Sequence, residues 1–148
     1  MIVMHDFSVK IANLPDEWEK IAAIRVAVFQ QEQGIDAALD FDGQDRGCQQ
    51  FIAYLDQQAV GTARLRILDA NTAKIERLAV LSSARGRGIA KQIMHKATEL
   101  AAQHNIQDVV IHAQMYVQDL HQQLGFVQEG EPFEEVGIPH VKMRKKLT

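Results

Sequence analysis

Apolar and polar residues alternate along much of the first half of the chain, and this alternation predicts β-strands. The predicted strands lie at 7–11, 50–55, 59–68 and 74–80. Short polar turns at 56–58 and 69–72 join the last three strands, which predicts an antiparallel meander. Before the meander, apolar residues at helical spacing predict a helix over 17–31, and the polar segment 34–46 predicts a short helix within a loop.

The second half of the chain shows a helical period followed by a strand that is apolar on both faces. Apolar residues recur on one side of a helix over 88–104, and the apolar run at 108–113 predicts a buried central strand. A strand, a helix and a parallel strand in this order form a right-handed crossover unit. A helix over 116–124 and strands near 126–133 and 141–147 complete an α/β chain of order β-α-α-β-β-β-α-β-α-β-β.

Composition narrows the possible functions. A chain of 148 residues has the size of one domain, here 1–148, and a net charge of −3 supplies no basic surface for nucleic acid. The single cysteine, Cys48, excludes an internal disulfide framework and is typical of a reducing cytoplasm. Residues 1–6 are too short and polar for a signal peptide, and no apolar run reaches transmembrane length. We therefore expect a cytoplasmic protein without a membrane partner, and no metal, because no histidine or cysteine cluster has ligand spacing.

A loop rich in glycine and arginine, between the strand at 74–80 and the helix at 88–104, offers a phosphate site. Free N–H groups and the positive dipole end of a helix N-terminus attract phosphate, and glycine lets the backbone approach a ligand closely. A Walker-type loop is excluded because neither lysine nor a hydroxyl directly follows Gly88, and a dinucleotide fingerprint lacks its third glycine. An ordinary strand-to-helix connection, in which Gly86 and Gly88 only serve the turn, remains the alternative.

Arg25 interrupts the apolar face of the first predicted helix, and Glu32 lies on the same face seven residues later. A charge on a buried helix face needs a partner or a cleft. An acid–base pair here predicts a site for a polar amine substrate, whereas a buried structural salt bridge is the alternative.

The glycine-rich loop also carries a family pattern. Arg85, Gly88 and Ala90 match Arg/Gln-x-x-Gly-x-Gly/Ala, which resembles the acyl-CoA pyrophosphate loop of the GNAT superfamily of N-acyltransferases. The predicted order of elements is similar to that of this superfamily, and Leu-Gly-Phe at 124–126 resembles its second landmark. Four further segments resemble the ElaA-like branch of the superfamily, and they lie at 28–35, 61–66, 111–114 and 137–140.

The resemblance implies the GNAT fold, with the predicted strands in a mixed and mostly antiparallel sheet of seven strands flanked by four helices. It also implies a V-shaped splay between strands 4 and 5, in which pantetheine lies while the pyrophosphate binds the loop. Acetyl-CoA is then the expected co-substrate. The residues implied in cofactor binding are Leu78, Ala79, Val80, Arg85, Gly86, Arg87, Gly88, Ile89, Ala90, Gln114 and His121.

The reaction implied by the resemblance is direct transfer of an acetyl group from acetyl-CoA to the primary amine of a small molecule or peptide. Glu76 is the expected base, because alternation puts it on the same strand face as Leu78 and Val80, near the cofactor. The alternative is that Glu76 pairs with Arg64 or Arg66. The backbone N–H of Val80 is the expected donor to the oxyanion.

The leaving thiolate needs a proton donor, and here the sequence departs from the family. His121 occupies the position of the usual tyrosine, four residues before Gly125. A histidine is largely neutral at neutral pH unless a neighbour raises its pKa. Three donors stay open, in the order His121, Tyr116 and solvent, and His121 as an exposed helix residue without a role is a further alternative.

The acceptor site is expected near the first helices and the final hairpin, with Arg25, Glu32 and His140 contacting the amine substrate. Two other functions remain open: an acyl-CoA-binding sensor module with weak or no catalysis, and another acyl chemistry such as acyl-homoserine lactone synthesis. Exposed sheet edges at the C-terminal hairpin favour a homodimer.

Overall fold

Eight strands and four α-helices make up the part of the chain that the computed structural model describes, residues 7–147. The strands are β1 (Phe7–Ile11), β2 (Gln49–Leu55), β3 (Gln58–Ile67), β4 (Thr72–Val80), β5 (Asp108–Gln114), β6 (Val127–Gln128), β7 (Phe133–Glu135) and β8 (Ile138–Lys146). The α-helices are α1 (Trp18–Arg25), α2 (Ala37–Asp40), α3 (Ile89–Gln103) and α4 (Gln118–Gln123). Residues 1–6, in which no signal peptide is predicted, and Thr148 lie outside the described residues.

The strands form one sheet in the order β1-β2-β3-β4-β5-β8-β6, and β7 pairs with β8. The β4–β5 pair is parallel, and the other pairs are antiparallel. The predicted mixed, mostly antiparallel α/β sheet is therefore confirmed. The strand expected near 126–133 is two short strands, because the chain bends at Gly130, whose φ is +84°. Across residues 7–147, the structure contains no helix long and apolar enough to cross a membrane.

The first predicted helix is α1 followed by a π-helical segment (Val26–Glu32). The N–H of Gln33 donates to the carbonyl of Val28, five residues back, at 3.1 Å, which is the wider turn of a π-helix. The extra residue in the turn rotates all the side chains that follow it. The spacing of seven residues therefore no longer places Arg25 and Glu32 on one face, as regular α-helical geometry predicts.

The two faces of the sheet carry separate apolar layers. On one face α3 buries Ile93 and Met94 against the strands. The helix lies so close to Gly61 of β3 that a Cβ there would stand 2.8 Å from Cδ1 of Ile93, which explains the glycine. On the other face, α1 and the π-helical segment pack on the sheet through a smaller cluster that includes Phe29 and Ala79.

Strands β4 and β5 pair only at their first residues and then separate. Three pairs hold them together, from Thr72 opposite Asp108 to Lys74 opposite Val110. Beyond these pairs the strands diverge, and a cavity opens between them. The predicted splay between strands 4 and 5 is thus present, with its vertex just after Lys74.

A β-bulge in β4 changes the direction of the side chains beside the splay. The β3–β4 register shifts between Thr62 and Arg64, and Arg77 has φ +57°. Before the bulge Ile75 packs in the layer under α3, and after it Val80 packs in the same layer. Glu76 and Val80 therefore lie on opposite faces of the sheet. The prediction that alternation places Glu76 on the face of Leu78 and Val80 is wrong, because the bulge inserts one residue into β4 between Glu76 and Ala79.

Candidate active site

The loop between β4 and α3 exposes backbone amides. A 3₁₀ turn (Ser82–Ala84) leads into Arg85, and both following glycines have left-handed backbones, with φ +79° at Gly86 and +80° at Gly88. A Cβ on either glycine would have no atom within 4 Å, so the space above the loop is open. Gly88 is the N-cap of α3, which leaves the first N–H groups of the helix facing that space. This arrangement can bind a phosphate group.

The other predicted loop residues differ in what their side chains can offer. Arg87 is exposed and has no ion-pair partner among residues 7–147, so it can reach a bound anion. The side chain of Ile89 is buried under the sheet, and Ala90 packs beside it, so these residues can contribute backbone amides and not side-chain contacts.

Arg85 connects the loop to two other elements. Its guanidinium donates to both carboxylate oxygens of Glu32, at 2.5 and 2.6 Å, and its Nε donates to the carbonyl of Val80 at 3.0 Å. Both charged side chains are about two-fifths exposed, at 42% and 41%. The hydrogen bonds of Arg85 lower the pKa of the Glu32 carboxyl. Glu32 thus pairs with the loop and not with Arg25.

A cavity of about 860 Å³ fills the splay and continues to the loop. One wall consists of β4 residues, among them Leu78 and Ala79, and the other of β5 residues, among them Gln114. The π-helical segment and the residues after β5 close its sides. The cavity therefore connects the loop before α3 with the vertex of the splay.

The backbone of Val80 points into this cavity. The N–H of Leu81 donates to the carbonyl of Val60 at 2.8 Å, which makes Leu81 and Val60 a hydrogen-bonded pair of the β3–β4 ladder. The adjacent pair, Gly61 and Val80, is then a non-hydrogen-bonded pair. The N–H of Val80 consequently faces away from β3, towards β5, where a ligand in the splay can accept its hydrogen bond.

Glu76 forms ion pairs with Arg64 and Arg66, which is the predicted alternative to its role as a base. Arg64 contacts its Oε2 through Nε at 2.8 Å and Nη2 at 2.7 Å, while Arg66 and Lys74 contact Oε1 at 2.9 and 3.2 Å. Burial alone would raise the pKa of Glu76, but the hydrogen bond and charge of Arg64, together with Lys74, hold it below its usual value. A carboxylate has about four lone-pair sites, and these contacts occupy them. Glu76 has no free site to receive a proton.

His121 is buried and not exposed, so one predicted alternative for it is wrong. Its ring packs edge-on against Phe126, and its Nδ1 has no hydrogen-bond partner among residues 7–147. Burial lowers the pKa of His121 to about 4, because the charged imidazolium loses its hydration. The imidazole is therefore neutral at neutral pH. It lines the cavity, but it holds no acidic proton for a leaving thiolate, which places Tyr116 ahead of it among the predicted donors.

Tyr116 and two glutamines form a polar bridge over the cavity. The amides of Gln33 and Gln114 donate to each other, at 2.9 and 3.4 Å, across a sequence separation of 81 residues. The hydroxyl of Tyr116 lies 3.4 Å from the amide nitrogen of Gln33. Tyr116 is exposed and lies in a 3₁₀ turn (Met115–Val117), before α4 begins. Sequence analysis missed Gln33, because no local signal links it to β5.

Arg25 lies in a buried ion-pair network. A buried structural salt bridge was the predicted alternative to a role of Arg25 in substrate binding. It is fully buried, and its guanidinium donates to Asp40 and Asp45, including an Nη1–Oδ1 contact of 2.6 Å to Asp45. Its charge also lies 4.6 Å from the ring centre of Phe41. The guanidinium is fully occupied by these partners and does not line the cavity.

His140 lines the cavity as part of a cluster that sequence analysis recognised only in part. Its Nδ1 donates to the carbonyl of Ile138 at 2.6 Å, and its Nε2 stands 3.8 Å from a carboxylate oxygen of Glu135. The other oxygen of Glu135 lies 3.1 Å from Nδ1 of His112, which in turn lies 3.3 Å from Nζ of Lys74. The period of two along β4 could have shown that Lys74 shares a face with Glu76. No local signal in the sequence indicates that Glu135 belongs to the cluster.

Metal-ligating side chains do not gather in this site. Across residues 7–147 the structure contains no group of three or more histidine, cysteine, aspartate or glutamate side chains placed to hold a metal ion.

Comparison with known protein families gives a match over most of the chain. The family model described as "Acetyltransferase (GNAT) domain" matches residues 16–147. The uncharacterized protein YyaT of Bacillus subtilis is 35% identical over 128 residues, which cover 84% of this chain and 86% of YyaT. Protein ElaA of Escherichia coli is 30% identical over 129 residues, which cover 84% of each chain.

Solved structures agree with the sequence relatives. The crystal structure of E. coli ElaA superposes with a TM-score of 0.82 at 26% identity, covering 96% of this chain and 99% of ElaA. A GNAT family acetyltransferase from Elizabethkingia anophelis, solved with acetyl-CoA bound, superposes with a TM-score of 0.69 at 18% identity, covering 97% of this chain and 98% of that protein. The second likeness concerns the fold alone.

Proposed function

The chain belongs to the GNAT family of acetyltransferases, and from that premise we propose that it transfers an acetyl group from acetyl-CoA to a primary amine by direct attack. The acceptor in this proposal is a small molecule or a peptide. No covalent enzyme intermediate is needed, because the amine itself attacks the thioester.

The observation that carries the proposal is the connection between the splay and the loop. The cavity between β4 and β5 runs from open amides at the N-terminus of α3 to the vertex of the splay. A ligand with a phosphate group at one end and an extended chain at the other fits this shape, since the chain can bond to the free edge of β4. Acetyl-CoA has both features. Leu78, Ala79 and Val80 then contact pantetheine, and the residues from Arg85 to Ala90 surround the pyrophosphate.

The groups of the cavity supply the chemistry of the transfer. The amine must lose a proton before its lone pair attacks the thioester carbon, and the new C–N bond forms as charge develops on the carbonyl oxygen. The N–H of Val80 is aimed into the cavity and can donate to that oxyanion. The C–S bond then breaks, and the thiolate takes the proton that the nitrogen releases, either through the Tyr116 hydroxyl or through solvent.

The acceptor enters, in this proposal, from the face of the sheet opposite α3. Polar side chains collect on that face near the vertex of the splay, among them Lys74, His112 and His140. Glu32 pairs with Arg85, and neither Glu32 nor Arg25 is among the residues that line the cavity. We therefore propose His140, and not Arg25, as a contact of the amine substrate.

Calorimetric titration with acetyl-CoA and separately with desulfo-CoA tests the proposed function, when followed by an assay for free thiol with a panel of primary amines. The panel contains α-amino acids, polyamines and peptides with free lysine or N-terminal amines. Binding with amine-dependent thiol release is the expected result. Binding without release across the panel would instead favour the acyl-CoA sensor, and absence of binding would overturn the assignment of the loop.

A further inference from the structure

We infer that His112 is the base that accepts the proton of the acceptor ammonium, and that Glu135 holds its ring in the required orientation. The inference rests on the proposed acetyl transfer and adds the base that this reaction needs. It replaces Glu76, whose two oxygens are bound by Arg64, Arg66 and Lys74.

His112 stands at the vertex of the splay. It is the second residue of β5 after Val110, the last residue paired with β4. Its neighbours Ile111 and Ala113 are buried in the layer under α3, so the side chain of His112 points to the opposite face. Glu76 holds the matching place on β4, two residues after Lys74. An amine that enters from this face therefore meets His112 where the strands separate.

The contacts of the ring decide which nitrogen is free. Nδ1 lies 3.1 Å from Oε1 of Glu135 and 3.3 Å from Nζ of Lys74. A carboxylate can only accept, so the shorter contact requires a proton on Nδ1. Lys74 can donate to Glu76 instead, at 3.2 Å. This tautomer leaves a lone pair on Nε2, which has no hydrogen-bond partner within residues 7–147.

Further contacts fix the orientation of the ring. Phe133 meets the ring of His112 edge-on, at 5.0 Å between ring centres, and stacks on the ring of His140 at 6.0 Å. Glu135 stands between the two histidines, and His112 lowers the pKa of the Glu135 carboxyl. A carboxylate bonded to one ring nitrogen fixes the tautomer and the orientation of the ring, which is the arrangement of a base and its positioning residue.

The charged groups around His112 come from every neighbouring strand. Lys74 and Glu76 face it from β4, Glu135 from β7, and His140 and Lys142 from β8, where Lys142 is the residue paired with it. Lys142 is engaged by Glu129 at 3.2 Å. The nearest anion is thus Glu135 and the nearest cation is Lys74, which also contacts Glu76.

The proposed step conserves protons and bonds. Nε2 of His112 takes one proton from the acceptor ammonium, and the neutral amine attacks the thioester carbon. A C–N bond forms and the C–S bond breaks. The second proton leaves the nitrogen and ends on the thiolate, and His112 later releases its own proton to water.

His112→Gln tests the inference in the full-length protein, with the fastest amine of the panel as the probe. Glutamine keeps a polar side chain of similar reach but accepts no proton, so kcat/KM should fall by about 10²–10⁴-fold, the usual range for general base catalysis. Acetyl-CoA affinity should stay unchanged in the titration. His104→Gln, at an exposed position after α3, is the matched control and should keep the wild-type rate.

Two further variants separate a base from a structural residue. His112→Ala should regain activity when imidazole is added, because imidazole can enter the vacated space and take the proton. Glu135→Gln should lower kcat and leave acetyl-CoA affinity unchanged, since the ring loses the carboxylate that holds the proton on Nδ1 and fixes its orientation. Glu135 is half-exposed, so this change should leave the fold intact.

The results distinguish failure of the proposed function from failure of the base assignment. If the wild-type protein releases no thiol with any amine, whether or not it binds acetyl-CoA, the proposed function is wrong. The assignment of His112 as the base is then wrong as well. If the wild-type protein is active while His112→Gln keeps its rate and its pH profile, only the base assignment is overturned. Loss of rate in His112→Gln with rescue of His112→Ala by imidazole supports it.

Discussion

Glu32 and Arg85 form a two-contact ion pair, at 2.5 and 2.6 Å, that joins the end of the π-helical segment to the loop before α3. Arg85 is also the residue that matches the first position of the acyl-CoA loop pattern. A phosphate bound at the loop would therefore compete with the carboxylate of Glu32 for the guanidinium of Arg85.

Glu32→Gln should tighten acetyl-CoA binding, because it removes both a competing acceptor and a negative charge beside the phosphates. The pair is well exposed, so the gain should be modest, about two- to fivefold. Titration calorimetry measures it. Glu99→Gln, an equal change of charge at an exposed position of α3, is the control and should leave the affinity unchanged. Weaker binding in Glu32→Gln would mean that the pair orders the loop for the ligand.

Gly88→Glu should weaken acetyl-CoA binding at least about tenfold, because its carboxylate would occupy the helix N-terminus in place of a phosphate. Gly130→Glu is a close control. Gly130 has φ +84° against +80° for Gly88, and a Cβ at either position meets no atom within 4 Å. Both variants should therefore lose similar stability, about 1–2 kcal/mol for a left-handed residue with a side chain. Equal acetyl-CoA affinity in the two variants would disprove the phosphate site.

Arg25→Met should destabilise the fold by about 3–5 kcal/mol, because the buried carboxylate of Asp40 would keep only a longer contact to Arg77, at 3.6 Å, and the amide of Gln30. Chemical denaturation gives the free energy of unfolding, and Arg46→Met, at an exposed position, should change it little. A substrate role for Arg25 requires a different outcome. Unchanged stability together with a raised KM for the amine would return Arg25 to the acceptor site.

Tyr116→Phe should lower kcat by about 10²-fold if the phenol protonates the thiolate, and acetyl-CoA affinity should remain. His121→Leu should leave kcat at neutral pH nearly unchanged, because the buried imidazole is neutral there. Tyr54→Phe, whose hydroxyl bonds to Glu17 far from the cavity, controls for loss of a phenol. A slow His121→Leu beside a normal Tyr116→Phe would restore His121 as the acid, and two normal rates would indicate departure assisted by solvent.

His121 should also make stability depend on pH. Burial lowers its pKa from 6.5 to about 4, so between these values the unfolded chain binds a proton that the folded chain does not. The free energy of unfolding therefore falls as the pH drops from about 6.5 towards 4, by up to about 3 kcal/mol, and is unaffected by this group above that range.

His121→Leu should flatten this part of the stability curve, whereas His104→Leu, which changes an exposed histidine, should keep it. Paired carboxylates such as Glu129 act at lower pH, below their ordinary pKa of 4.5, and do not obscure the test. Denaturation at a series of pH values measures the effect. An identical curve for His121→Leu and the wild-type protein would show that folding does not shift the pKa of His121.

Most of the fold and the position of the loop could be predicted from the sequence, because they follow from local patterns. Alternation gave the meander, the helical period gave α3, and the glycines between them indicated a loop that opens a helix. The structure differs from the prediction where the backbone departs from regular geometry. The bulge at Arg77 moves Glu76 to the other face of the sheet, and the π-helical segment turns Glu32 away from Arg25. Periodicity assumes regular elements, so it cannot anticipate either insertion.

Local sequence is enough to predict which residue types lie on which element, since secondary structure and glycine turns depend on neighbours along the chain. Which charges meet and which groups lose water depends on how the elements pack. Glu32 meets Arg85 across 53 residues, and Glu135 meets His112 across 23. His121 owes its lowered pKa to desolvation by the surrounding core. The reason is physical: ion pairing and desolvation depend on side chains that folding brings together from distant segments, and no local pattern records those partners.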